Sequence, residues 1–132
     1  MRIGTLVLAA IALWAGAAEA ADFTFTVPVN ARNLLPAVTR VFVSCAIYRG
    51  QSPVASGNSA FTTPQNGAVQ QNVTVEVNVP AGQDKTTIDG YRCYFYVGTS
   101  ATTATPTTCS ADWCRAKPGT TTRDFQSGSI PN

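Results

Sequence analysis

Histidine is absent from all 132 residues, and the charged residues make up only 12% of the chain. Without an imidazole there is no Ser-His-Asp or Cys-His machinery, and no histidine-based copper or zinc site. The net charge of +2 is small and dispersed, which excludes the electrostatic footprint of a nucleic-acid binder. No run of like charge marks a membrane-surface segment or an interaction tail. A glycine-rich phosphate loop is also missing. Beyond residue 20 no window keeps a helical period. Six acidic residues follow that point (Asp22, Glu76, Asp84, Asp89, Asp112, Asp124), spread along the chain, so a pair of catalytic carboxylates would have to be assembled by folding alone. These absences argue against an enzyme and against a cofactor.

What is present begins with MRIGTLVLAAIALWAGAAEA. Arg2 supplies a positive start, residues 3–18 are apolar and small, and Ala18-Glu19-Ala20 fits a small-x-small cleavage site, so residues 1–20 read as a secretory signal peptide. The apolar stretch falls short of the roughly 20 residues that a membrane-spanning helix needs, so no membrane insertion is expected after cleavage. No lipobox cysteine follows. Residues 21–132 are then one exported domain, periplasmic or secreted by a bacterial-type route, with a core modest enough that covalent staples would help.

The four cysteines, Cys45, Cys93, Cys109 and Cys114, all lie in that domain, and an even count in a small exported chain reads as two disulfides. Three pairings are possible. Cys109 and Cys114 in "TTCSADWCRAK" are close enough for a local loop clip, which leaves Cys45 with Cys93. Their four-residue spacer lacks the two-residue spacing of a redox motif. A zinc site is disfavoured by the lack of histidine and by the compartment.

Strand signals recur along the chain. "DFTFTVPVN" (22–30) puts Phe23, Phe25, Val27 and Val29 on one side, and Pro28 assigns it to an edge. "TRVFVSCAIYRG" (39–50) points Val41, Val43, Cys45 and Ile47 one way and Arg40, Phe42, Ser44, Ala46 and Tyr48 the other. A short strand is expected near 54–62, "PQNG" reads as a turn, and "AVQQNVTVEVNVP" (68–80) alternates cleanly. "IDGYRCYFYVG" (88–98) puts Tyr91, Cys93, Phe95 and Val97 inward. "TSATTATPTT" reads as an exposed connection, and a last strand is expected around 120–126. About seven short strands with turns between them indicate an all-β antiparallel sandwich or barrel.

Cys45 and Cys93 thus fall on the inward register of two strands, where they would join two facing sheets. Tyr91, two residues before Cys93, is placed to act as a tyrosine corner. On these residues the stretch 39–99 resembles the immunoglobulin-like superfamily, and the resemblance implies a sandwich with an inter-sheet disulfide. The pattern departs from the variable-type domain. Thr87 stands where an Asp is expected and Asp89 where a small residue is expected. The core tryptophan after the first cysteine is missing, and Phe61 is the nearest large apolar residue for that space. A fold-level likeness implies no function.

Two groups of residues are candidates for binding. Trp113 and Arg115 sit on or beside the cysteine clip, a rigid aromatic beside a guanidinium. Phe42, Tyr48, Tyr94 and Tyr96 occupy the outward register of two strands. The sequence therefore points to a non-catalytic exported module that binds a protein through these residues. Two alternatives stand beside it. One is a filament subunit with residues 22–30 as a donor strand, loosely similar to chaperone-assembled pilins but without their C-terminal tyrosine. The other is a carbohydrate-binding domain that stacks a glycan on its aromatic rings.

Overall fold

In a computed structural model, residues 19–104 and 125–130 are described. The strands are β1 (Phe23–Ala31), β2 (Arg40–Arg49), β3 (Ser52–Asn58), β4 (Val69–Val77), β5 (Gly90–Gly98), β6 (Thr103–Ala104) and β7 (Phe125–Ser129). The only helical element among the described residues is a 3₁₀ turn at Lys85–Thr87, capped by the Asp84 side chain. The protein is therefore all-β, and every strand pair is antiparallel.

The period-two patterns of the sequence account for the layers. β1 and β4 form a two-stranded sheet in unbroken register from Phe23↔Val77 to Ala31↔Val69. The larger sheet runs β3-β2-β5, with β6 and β7 both paired to the far edge of β5. Val27, Val29, Val73, Val75 and Val77 from the small sheet meet Val41, Val43, Ile47, Phe95 and Val97 from the large one in a single core. Leu34, Val38 and Ile88 close it from the connections. At about 25 cal/mol per Å² of apolar area removed from water, burial of this valine-rich layer is the main force holding the sheets together.

Two turns follow directly from local chemistry. Asn66 (φ 52°) and Gly67 (φ 72°) both lie in the left-handed region, and Gln65 and Ala68 exchange backbone hydrogen bonds of 2.9 and 3.0 Å across them. This is the tight turn that an Asn-Gly pair favours, and it falls where "PQNG" was expected. Gly50 (φ 58°) closes the β2–β3 hairpin. The sheets come close together at Gly57, where an added Cβ would overlap the Glu76 carbonyl oxygen.

Cys45 and Cys93 are disulfide-bonded, as the spacing predicts. The bridge does not join facing sheets, however. The two residues are direct partners on the neighbouring strands β2 and β5, with Cα atoms 4.0 Å apart. Such proximity belongs to the closely spaced pairs of an antiparallel ladder, whereas stacked sheets lie about 10 Å apart. An inward register says only that both sulfurs point to the core. Whether the strands are neighbours or face each other is settled by the sheet order.

Phe61 is a second correction. Expected in the core, it is 61% exposed on the outside. Along β3 the pairing follows Cys45↔Gly57, and Ser59 still hydrogen-bonds to Val43. By Val41↔Thr62 the register has slipped by one residue. A one-residue slip carries a side chain to the opposite face, so Phe61 lands beside Phe42 instead of over Val41. In the segment expected as a plain connection, Thr103 and Ala104 form the short β6. β7 begins at Phe125, and residues 120–124 of the expected last strand lie outside the described residues.

Candidate binding face

The outward register of β2 and β5 converges on one surface. Pairing sets Phe42 opposite Tyr96, Ser44 opposite Tyr94, Ala46 opposite Arg92 and Tyr48 opposite Gly90. Four of the sequence-nominated residues, Phe42, Tyr48, Tyr94 and Tyr96, therefore share this face, all half-buried. The other two, Trp113 and Arg115, lie outside the described residues, as do Cys109 and Cys114.

The rings pack on one another. Phe42 stacks on Tyr96 with centroids 4.9 Å apart and planes within 9°, while Phe61 meets Phe42 edge-on at 5.3 Å. Arg40 places its guanidinium carbon 4.7 Å from the centre of Phe61. At the other end of the face, Arg92 sits 4.8 Å from the centre of the Tyr48 ring. Cation–π contacts of this kind are worth about 0.5–1 kcal/mol at exposed sites. Together the contacts hold these long side chains against one another.

Glycine makes room at one end. A Cβ on Gly98 would come within 3.1 Å of Arg40 Nε, a buried nitrogen with no hydrogen-bond partner among the described residues. Beside Arg92 and Tyr48, a hollow of about 380 Å³ opens, with Gly50, Asp89, Gly90 and Ser129 in its lining. Asp89, exposed at the rim of the hollow, accepts a hydrogen bond from the Gly50 N–H at 2.9 Å. No strand residue projecting from this face of β2, β3 or β5 is a lysine or a carboxylate.

The described carboxylates with shifted titration lie elsewhere. Asp22 is held below the usual carboxylate range, chiefly by the Val79 N–H at 2.8 Å and also by Lys85 at 3.4 Å. Asp84 is lowered by the Thr86 hydroxyl and then by the Thr86 N–H. Both are structural partners of backbone groups at chain turns. Among the described residues, no group of three or more Cys, Asp or Glu side chains is placed to hold a metal ion.

Tyr91 is the inward aromatic nominated from the sequence. Its ring stacks on Phe25 at 4.7 Å and lies over Gly128, where a Cβ would be 2.8 Å from the ring. It packs at the edge of the core instead of belonging to the binding face. Three contributors to that face were not nominated from sequence. Arg40 and Arg92 share the outward parity of the nominated residues and were legible by it. Phe61 was not, because the register slip reverses its side. Compared with known proteins, the chain matches no family model, no curated protein and no solved structure.

Proposed function

We propose that the protein is a non-catalytic exported module that binds a protein partner through the outer face of β2 and β5. The observation that carries this reading is the composition of that face: Arg40, Phe42, Phe61, Tyr96, Tyr94, Tyr48 and Arg92, with no lysine or carboxylate among its strand residues. Aromatic residues and arginine are enriched in the cores of protein interfaces, and Lys, Glu and Asp are depleted there. The hollow beside Arg92 offers a socket for an anchoring side chain. Export is supported by the signal-like first 20 residues and by a disulfide of the kind that persists in oxidising compartments.

The same geometry favours protein over glycan. A sugar stacks on the open face of a ring, but Phe42 already has a face against Tyr96, and Arg40 and Arg92 cover Phe61 and Tyr48. A donor-strand role for residues 22–30 is likewise less favoured, because β1 completes the chain's own small sheet over nine residue pairs. The finer assignment to an immunoglobulin-like sandwich draws support from two antiparallel sheets around one core and from Tyr91 two residues before Cys93. The within-sheet bridge counts against it.

The test is photo-crosslinking in the native envelope, with the photoreactive residue at Ser44 or, as a control, at Thr74 on the other sheet. A discrete protein adduct from Ser44 but not from Thr74 is expected. Adducts from Thr74 alone would place the interface elsewhere.

A further inference from the structure

A glycine in a sheet leaves a gap in the side-chain rows, and it commonly marks a bulge, a close backbone approach or a ligand. Gly57 and Gly128 have their reason in the fold. A Cβ would overlap the Glu76 carbonyl oxygen at the first and come within 2.8 Å of the Tyr91 ring at the second. Gly90, at the start of β5, has no such reason. It pairs in regular register with Tyr48 of β2 on one side and Ser129 of β7 on the other. Its φ lies outside the left-handed region, and an added Cβ would meet only the Gly128 carbonyl oxygen, at an ordinary contact distance of 3.6 Å. What the missing side chain does is open space. The hollow of about 380 Å³ lies where Gly90 interrupts the row between Tyr48 and Ser129. Sites for small ligands typically measure roughly 300–1,000 Å³.

Opposite charges flank Gly90 along the chain, and both line the hollow: Asp89 just before it and Arg92 two residues after. No ion pair joins them. Arg92 lays its guanidinium over the Tyr48 ring, 4.8 Å from its centre, and one nitrogen donates to the Gln51 side-chain oxygen at 3.4 Å. Stacking of this kind leaves the other in-plane donors of the guanidinium uncommitted. Asp89 turns both carboxylate oxygens to a single donor, the Gly50 N–H, at 2.9 and 3.2 Å, although a carboxylate can accept about four hydrogen bonds. We infer that the hollow binds a small zwitterion of the amino-acid class, its carboxylate held by Arg92 and its ammonium by Asp89. A simple anion would leave Asp89 facing a like charge, and a simple cation would do the same to Arg92, so the pair selects a molecule that carries both. The site shares the outer face of β2 and β5 but goes beyond its reading as a protein interface, because its ligand is a free molecule.

The experiment is an amide NMR titration of the purified, oxidised protein with glycine, β-alanine and γ-aminobutyrate, which set the two charges progressively further apart. Saturable shifts at the amides of Gly90, Arg92 and Ser129 are expected with at least one of them. Acetate and ethylammonium each carry one of the charges and should bind about tenfold more weakly than that probe, since each leaves a charged group unpaired. Arg92→Gln and Asp89→Asn should each weaken the zwitterion by about tenfold as well, and asparagine keeps an acceptor for the Gly50 N–H. Gly90→Val puts a side chain into the hollow with its Cβ in ordinary contact and should abolish binding. Thr74→Ala on the other sheet should leave it unchanged. Circular dichroism and an intact Cys45–Cys93 bridge establish that each variant is folded. The absence of saturable shifts with all three zwitterions would overturn the proposal. Acetate or ethylammonium binding as tightly as the zwitterion would do so too, as would a folded Gly90→Val that still titrates. None of these outcomes bears on the protein partner, which Ser44 crosslinking reads separately.

Discussion

The outer faces of the two sheets are built on the same inner pattern and yet have little in common. Along β1 and β4 the outward residues are Thr24, Thr26, Pro28, Asn30, Gln70, Asn72, Thr74 and Glu76, all exposed. Along β2 and β5 they are Arg40, Phe42, Ser44, Ala46, Tyr48, Arg92, Tyr94 and Tyr96, all half-buried. The inner faces answer to one requirement, closing a valine core, and so look alike. An outward position is free of that requirement. Short polar side chains keep the small sheet solvated, whereas the large sheet carries an aromatic cluster on its outer side, the feature on which the proposed partner face rests.

The comparison can be broken first at the layer both sheets share. Replacing Cys45 and Cys93 by alanine opens a loop closed over a separation of 48 residues and should cost about 4 kcal/mol in the chain-entropy account, read by urea unfolding under oxidising conditions. A cost near zero would mean that the ladder between β2 and β5 alone sets their pairing. Gly57→Val drives side-chain atoms into the Glu76 carbonyl where the sheets touch, and overpacking of this kind should cost about 2–3 kcal/mol.

Smaller effects sharpen the contrast between the faces. Phe42→Ala removes two ring contacts and should cost about 1 kcal/mol, while Thr74→Ala on the other sheet should stay within about 0.5 kcal/mol. Equal costs would show that the aromatic cluster contributes nothing beyond ordinary surface. A double-mutant cycle between Arg92 and Tyr48 should return a coupling of about 0.5–1 kcal/mol.

The smallest effect is a pH dependence. Asp22 has its folded pKa depressed by the Val79 N–H, so the folded state binds fewer protons than the unfolded one near that pKa. The stability it contributes is full above the ordinary aspartate value of about 3.9 and is lost as pH falls through the lower folded value. Asp22→Asn should flatten the acid limb of a stability–pH curve below about pH 4 and leave the neutral region parallel to the parent. An unchanged acid limb would assign it to Asp84 instead.

Much of this architecture was legible in residue order. The alternations at 22–30, 39–50, 68–80 and 88–98 each became a strand with the expected residues inward. The Asn-Gly turn formed where it was read, and Cys45 found Cys93. Of the candidate binding residues, Phe42, Tyr48, Tyr94 and Tyr96 were placed on the outward side by parity alone. Phe61 was not, because a one-residue slip between Asn58 and Thr62 leaves no mark in composition or period.

Residue order by itself determined which side of each strand meets the core, since side-chain direction alternates along any extended backbone whatever lies beside it. It determined the turns as well, where asparagine and glycine admit a backbone that other residues avoid. Tertiary structure alone decided which strands became neighbours. That choice put the disulfide within a sheet instead of between two and gathered residues 42, 48, 61, 92, 94 and 96 onto one surface. The reason is physical: alternation constrains one strand at a time, while sheet order is a contest among all pairings of the chain, settled by how the whole set of inward side chains fills a common core.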